Sequence, residues 1–89
     1  MDDRVQRITE RLNSVFRPES LEVGDDSALH AGHEGARSGG GHYTVNIVSP
    51  AFSGVSTLER HRMIYDALAD MMKGEIHALS IHAHDPTEL

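Results

Sequence analysis

Apolar residues recur at helical spacing in the segment 3–16, DRVQRITERLNSVF. The residues of this stripe are Val5, Ile8, Leu12 and Val15. Steps of three and four residues place them on one face, which predicts an amphipathic helix. Asp2 or Asp3 is suited to cap its start, and Pro18 is expected to end it.

A second helix is predicted from residue 56 to about residue 73. Ser56 and Glu59 have the spacing of a capping box, and Gly74 suits the end of a helix. The residues expected on its buried side are Leu58, Tyr65, Leu68 and Met72, with Ile64 and Met71 flanking them.

Three shorter segments read as strands: 20–23, 42–49 and 76–83. The second alternates clearly, with an apolar face made of Tyr43, Val45 and Ile47. In the third, His77 shares parity with the more apolar set Leu79, Ile81 and Ala83. The opposite set is Ile76, Ala78, Ser80 and His82.

The order of elements predicts how these strands pair. The first two strands can form an irregular hairpin across a long glycine-rich loop, 24–41. The second and third are joined through a helix, and such a crossover normally links parallel strands in a right-handed sense. The expected fold is a single domain over residues 1–89. It is an α+β two-layer sandwich, a three-stranded mixed sheet with helices on one face.

Composition restricts the chemistry available to the chain. It has no cysteine, seven histidines and a formal net charge of -6 with histidine neutral. A disulfide framework and a cysteine-based zinc site are therefore excluded. An acidic chain is also poorly suited to general nucleic-acid binding, which depends on phosphate attraction. No apolar run has membrane-spanning length and the N-terminus is not a signal peptide, so a cytoplasmic protein is expected.

The histidines are the main candidates for a site, because imidazole is the commonest metal ligand among side chains. His77 opens the third strand, where it can be either a residue at the rim of the core or a ligand. His30 and His33 lie in the glycine-rich loop at a spacing that could clamp a metal. His42 is expected to be structural or solvent-facing, and His82 and His84 to lie at the surface.

Arg60, His61 and Arg62 are consecutive on the second predicted helix. Helix geometry spreads them over about 200 degrees, so they do not form one face. Neighbouring acids at helical spacing favour a salt-bridged surface instead. No nucleophile–base pattern, phosphate-binding loop or pair of carboxylates stands out, so composition and spacing alone do not name a function.

Four motifs occur in an order that identifies a family. They are DDSALHAGH at 25–33, FSGVS at 52–56, RHR at 60–62 and IHALSI at 76–81. With them the chain resembles the BolA family over nearly its whole length. The resemblance implies a fold similar to a type II KH domain (α-β-β-α-α-β). It also implies a non-catalytic partner of monothiol glutaredoxins that co-ligates a [2Fe-2S] cluster in a heterodimer.

The same resemblance implies the ligands. His77 matches the near-invariant family ligand, and His30 matches the second, with His33 three residues away as a possible substitute. The glutaredoxin cysteine and a bound glutathione would supply two thiolates. Histidine can replace cysteine on one iron of such a cluster. The isolated chain is then expected to hold no cluster tightly and to be a monomer or weak dimer.

Two other functions remain open. The first is a KH-like DNA-binding transcriptional regulator that uses the segment around Arg60, His61 and Arg62. The acidic charge opposes it, and the turn around SPAFSGVS lacks the GxxG motif that KH domains present to a nucleic-acid backbone. The second is a stand-alone zinc or copper site built from His30, His33 and His77, since neutral imidazoles suit those metals.

Overall fold

The computed structural model describes residues 2–27 and 40–89. The helices and strands in that part of the chain are α1 (Arg4–Phe16), β1 (Ser20–Asp25), β2 (Gly41–Val48), α2 (Thr57–Ala67) and β3 (Ile76–His84). Single 3-10 turns at Pro50–Phe52, Met71–Lys73 and Pro86–Glu88 connect or end these elements.

The three strands form one mixed sheet in the order β1-β2-β3. β1 and β2 are antiparallel, whereas β2 and β3 are parallel. Both helices contribute to one core that covers the face of the sheet carrying Tyr43, Val45 and Ile47. The predicted α+β sandwich with helices on one face is confirmed. The buried apolar residues are Ile8, Leu12, Phe16, Tyr43, Val45, Ile47, Phe52, Ile64, Leu68, Met71, Ile76 and Ile81.

The start of β3 departs from the predicted alternation. Gly41 pairs with Ile76, but the next residue of β2, His42, pairs with Ala78. His77 is therefore an extra residue, a β-bulge, and the bulge shifts the alternation of faces by one position. Ile76 is buried and His77 is exposed. The expectation that His77 lies on the apolar face and Ile76 on the polar face was wrong for this reason.

The buried side of α2 also differs from the prediction. Ile64 and Leu68 are buried, but Leu58 is 69% exposed and Tyr65 is 39% exposed. The helix begins as predicted, with the Ser56 hydroxyl accepting from the N–H of Glu59 at 3.2 Å. It ends at Ala67, and the residues expected to continue it to 73 turn away in a separate 3-10 turn.

The last turn of α1 differs slightly from the stripe predicted from the sequence. Val15 is 54% exposed, and Phe16 takes its place in the core. The Phe16 ring lies 5.1 Å from the ring of Phe52, between centroids, so this contact fixes the end of the helix against the turn after β2. At the other end, the carboxylate of Asp2 accepts from the backbone N–H of Arg4 at 2.9 Å.

Arg60 occupies a buried position on α2, where a surface residue was predicted. It is 7% exposed. Its guanidinium donates to the carbonyls of Val55 and Ala83 at 2.8 and 3.0 Å and to the Glu88 carboxylate at 2.6 and 3.1 Å. Arg60 therefore joins the start of α2 to the end of β3 and to the C-terminal turn. These hydrogen bonds satisfy the guanidinium, so the charged Arg60 can lie on the buried side of α2 while Leu58 faces solvent.

Two alanine substitutions can test which face of α2 is buried. Ile64→Ala should reduce the free energy of unfolding by about 2–5 kcal/mol, because it removes a fully buried side chain. Leu58→Ala is the matched control and should change it by less than about 0.5 kcal/mol, because that side chain is exposed. Urea denaturation monitored by circular dichroism measures both. Equal losses in the two variants would contradict the observed packing.

The Arg60–Glu88 pair predicts a dependence of stability on pH. The hydrogen bonds from Arg60 lower the pKa of the Glu88 carboxyl from 4.5 to about 2. A lowered pKa contributes stability that is present above the unfolded-state value and is lost as pH falls toward 2. Glu88→Gln should therefore flatten the decline in melting temperature between about pH 5 and 2. An unchanged decline would show that this pair makes no measurable contribution.

Candidate metal centre

His77 projects from the bulge at the edge of a surface cleft. The cleft has a volume of about 340 Å³ and is lined by Gly40, Met72, Lys73, Gly74, Ile76 and His77. Bulges re-aim side chains and are over-represented beside functional sites. Here the bulge turns a histidine away from the core and leaves its imidazole exposed at the cleft.

The ring of His42 lies against the ring of His77. Their centroids are 5.2 Å apart and the two planes are inclined by 42°. His42 is half-buried, and it was expected only to be structural or to face solvent. A signal for this contact existed in the sequence, because each histidine opens its strand. Parallel strands begin at the same edge of a sheet, so the predicted crossover already implied that these residues are neighbours.

The backbone at Gly40 is packed closely against His77. A Cβ at this position would lie 2.8 Å from the Cβ of His77 and 3.3 Å from the carbonyl oxygen of Gly74. The adjacent N–H of Gly41 donates to the carbonyl of Glu75 at 3.1 Å. Gly40 and the first residue of β2 therefore lie against the segment that leads into β3. Only glycine at position 40 permits this close contact.

Three arginines on α1 hold the same segment from the other side. Arg4 donates to the backbone carbonyl of Glu75 at 3.1 Å, and Arg7 forms an ion pair with the carboxylate of the same residue. Arg11 pairs with Asp70 at 2.6 Å and lowers the pKa of that carboxyl to about 2. The connection from α2 to β3, which forms one wall of the cleft, is therefore positioned by charge.

The remaining predicted metal-site residues are placed as follows. His30 and His33 lie outside the described residues, so their proximity to His77 stays a prediction. His82 and His84 are exposed on β3, as expected. Within residues 2–27 and 40–89, no group of three or more histidines and carboxylates is arranged to hold a metal ion.

The residues predicted for nucleic-acid contact do not form one surface. Arg60 is buried, and its guanidinium is bonded to two backbone carbonyls and to the Glu88 carboxylate, so it is not available to a phosphate. His61 is half-buried, and Arg62 is exposed with Glu59 3.8 Å from its guanidinium. Neither helix of the described chain has the length and apolar character of a membrane span.

Comparison with known proteins identifies the family. The family model described as BolA-like protein matches residues 12–88. The chain belongs to the BolA-like family. The solved structure of the BolA domain of SufE1 from Arabidopsis thaliana has a TM-score of 0.88 and 45% identity, and the match covers 100% of this chain and 99% of that one. BolA1 from the same plant has a TM-score of 0.85 and 34% identity, covering 100% and 99%.

Two relatives are similar to this chain over only part of their own length. SufE-like protein 1, chloroplastic/mitochondrial, of Arabidopsis thaliana is 45% identical over 94 residues, covering 100% of this chain and 25% of that protein. The DNA-binding transcriptional regulator BolA of Escherichia coli (strain K12) is 42% identical, covering 89% of this chain and 72% of that protein. The chain thus spans only a quarter of the SufE-like relative.

The close approach at Gly40 gives a test of how His77 is held. Gly40→Ala should displace His77 and reduce the free energy of unfolding by about 1–3 kcal/mol, because the added methyl overpacks the contact. Gly74→Ala is the matched control on the same cleft, since a Cβ there meets nothing within 4 Å. The His77 imidazole resonances should shift in the first variant and stay in place in the second. An unshifted His77 in Gly40→Ala would contradict the described packing.

Proposed function

We propose that this BolA-like chain is a non-catalytic partner of a monothiol glutaredoxin and contributes histidine to a [2Fe-2S] cluster shared by the two proteins. The observation that carries the proposal is the exposure of His77 on a bulge at the cleft. A ligand to a shared cluster must project from its protein toward the partner. A histidine at the rim of the core would not do so.

The donor set of the chain agrees with this role. The chain has no thiolate, so the sulfur ligands must come from the partner and its glutathione. Imidazole can take the place of cysteine on one iron, and this substitution raises the reduction potential of the cluster. When bound, the cluster supplies iron and sulfide for transfer to other proteins or for regulation. The chain's own part is to present His77 from a fixed backbone and to leave the adjacent cleft open.

The second ligand remains a proposal based on the family resemblance. His30 matches the family position, and His33 is its possible substitute. Gly40, which directly follows the 28–39 segment in sequence, lies against His77. This contact is consistent with a ligand in that segment acting together with His77.

A second candidate function is suggested by the name of a relative. The Escherichia coli relative is called a DNA-binding transcriptional regulator. In this chain the burial of Arg60 removes one of the three residues proposed for such contact, and the net charge of -6 disfavours attraction to phosphates. DNA binding is therefore the weaker of the two proposals.

The cluster role can be tested by mixing the chain anaerobically with a monothiol glutaredoxin that carries a [2Fe-2S] cluster. Visible circular dichroism should change as a one-to-one complex forms. His77→Ala should abolish or alter this change and make the cluster more labile, because it removes an iron ligand. His82→Ala is the matched control, since it removes an exposed imidazole from the same strand.

Two results would contradict the proposal. An unchanged spectrum and lability in His77→Ala would remove His77 from the iron. Failure of the wild-type chain to form any complex would reject the glutaredoxin role itself. In that case, DNA binding that weakens steeply with added salt would support the second candidate.

A further inference from the structure

We propose that Lys73 is a recognition residue of the cleft and binds a carboxylate of the glutathione that shares the cluster with His77. This inference rests on the proposed function, because it needs a glutaredoxin and its glutathione on the other side of the cluster. The ligand class is a thiol peptide with free carboxylates. The contact is an ion pair between the ammonium group of this chain and one of those carboxylates.

Lys73 is the only lysine of the chain, and it is the basic residue placed at the cleft. It lies in the turn Met71–Lys73, just before β3, and it is exposed. Every arginine within α1 and α2 forms an ion pair with a carboxylate. Within residues 2–27 and 40–89, no carboxylate lies within ion-pair distance of Lys73. Its charge is therefore left for a ligand.

The carboxylates on either side of Lys73 in the sequence are already engaged. Asp70 is paired with Arg11 at 2.6 Å, and Glu75 is paired with Arg7. Because both arginines belong to α1, these pairs also fix the backbone before and after the turn. The fold thus holds the base of the lysine side chain in place, while the neighbouring acids do not compete for its ammonium group.

The cleft has the room and the charge for a small anionic ligand. Its volume of about 340 Å³ falls within the range of about 300–1,000 Å³ that is usual for small-molecule sites. Gly40 and Gly74 line it without side chains, and a Cβ at position 74 would meet nothing within 4 Å. None of the described residues that line the cleft is acidic, so Lys73 makes it attract an anion and repel a cation.

Glutathione is the anion that the proposed function brings to this place. Its thiolate binds the same cluster as His77, and His77 lines the cleft, so the tripeptide lies beside Lys73. Glutathione carries a free carboxylate at each end. Hydrogen bonds between an ammonium group and a carboxylate are charge-assisted and stronger than neutral ones. In a chain with a net charge of -6, an unpaired lysine at this point gives the acidic peptide a specific contact.

The test measures how tightly the chain binds a monothiol glutaredoxin that carries a [2Fe-2S] cluster and glutathione, by visible circular dichroism titration at low salt. Lys73→Gln should weaken the association about three- to tenfold, because it removes a partly desolvated ion pair. Lys73→Arg should restore most of the affinity, because it keeps the charge. Arg62→Gln is the matched control, since it removes an exposed cation of α2 that does not line the cleft.

A diester of glutathione identifies the source of the carboxylate. The ester keeps the thiol for the cluster and removes the charge from both carboxylates. Wild type and Lys73→Gln should then bind with equal affinity. Each comparison uses the same glutaredoxin and the same form of glutathione, so any effect of the ester on the cluster itself cancels. Thermal unfolding of Lys73→Gln should match that of the wild type, because the side chain is exposed.

Two results would overturn the inference and leave the proposed function intact. The first is equal affinity of wild type and Lys73→Gln with glutathione. The second is a loss in Lys73→Gln that is as large with the diester, which would assign the contact to the glutaredoxin and not to glutathione. In both cases the complex and its cluster spectrum still form. Failure of the wild-type chain to form any complex would reject both proposals together.

Discussion

The parallel pairing of β2 with β3, interrupted by one extra residue, determines the rest of this structure. Parallel pairing brings the first residues of two strands to the same edge of the sheet. The extra residue lets Ile76 enter the core while the next side chain, His77, turns outward. Without the bulge, a regular strand that keeps Ile81 in the core would place Ile76 in solvent and His77 in the core.

Ionic contacts fasten the segments that the sheet does not hold. Arg4, Arg7 and Arg11 bind the connection between α2 and β3, and Arg60 ties α2 to the C-terminal turn. Exposed ion pairs contribute little individually, but Arg60 is buried and also satisfies backbone carbonyls. A consequence for recognition is that these arginines serve the fold. These four arginines are committed to bonds within the chain, and the net charge of the chain is -6.

The architecture was predictable because it depends on long, regular signals. The alternation of Tyr43, Val45 and Ile47 and the helix crossover were sufficient for the mixed sheet. The errors arose where one residue changed the local pattern. An inserted residue at His77 cannot be seen in a count of alternation. The buried position of Arg60 could not be inferred either, because its partner Glu88 is distant in sequence.

The candidate site was predictable only in part. The resemblance identified His77, whereas geometry was needed to show that it is exposed. Its contact with His42 could have been inferred, because both histidines open strands that the predicted crossover makes parallel. His30 and His33 lie outside the described residues, so their part in the site remains a prediction.

The separation of the two histidines along the chain has a consequence for folding. His42 and His77 belong to strands that pair across the crossover containing α2, so their pairing closes a long segment of chain. Closing such a loop costs chain entropy before the strand contacts can repay it, which makes non-local pairing slow. The two imidazoles therefore come together only in a chain whose crossover is complete. Their contact marks the fully assembled domain, and a partly folded chain would present them as separate side chains.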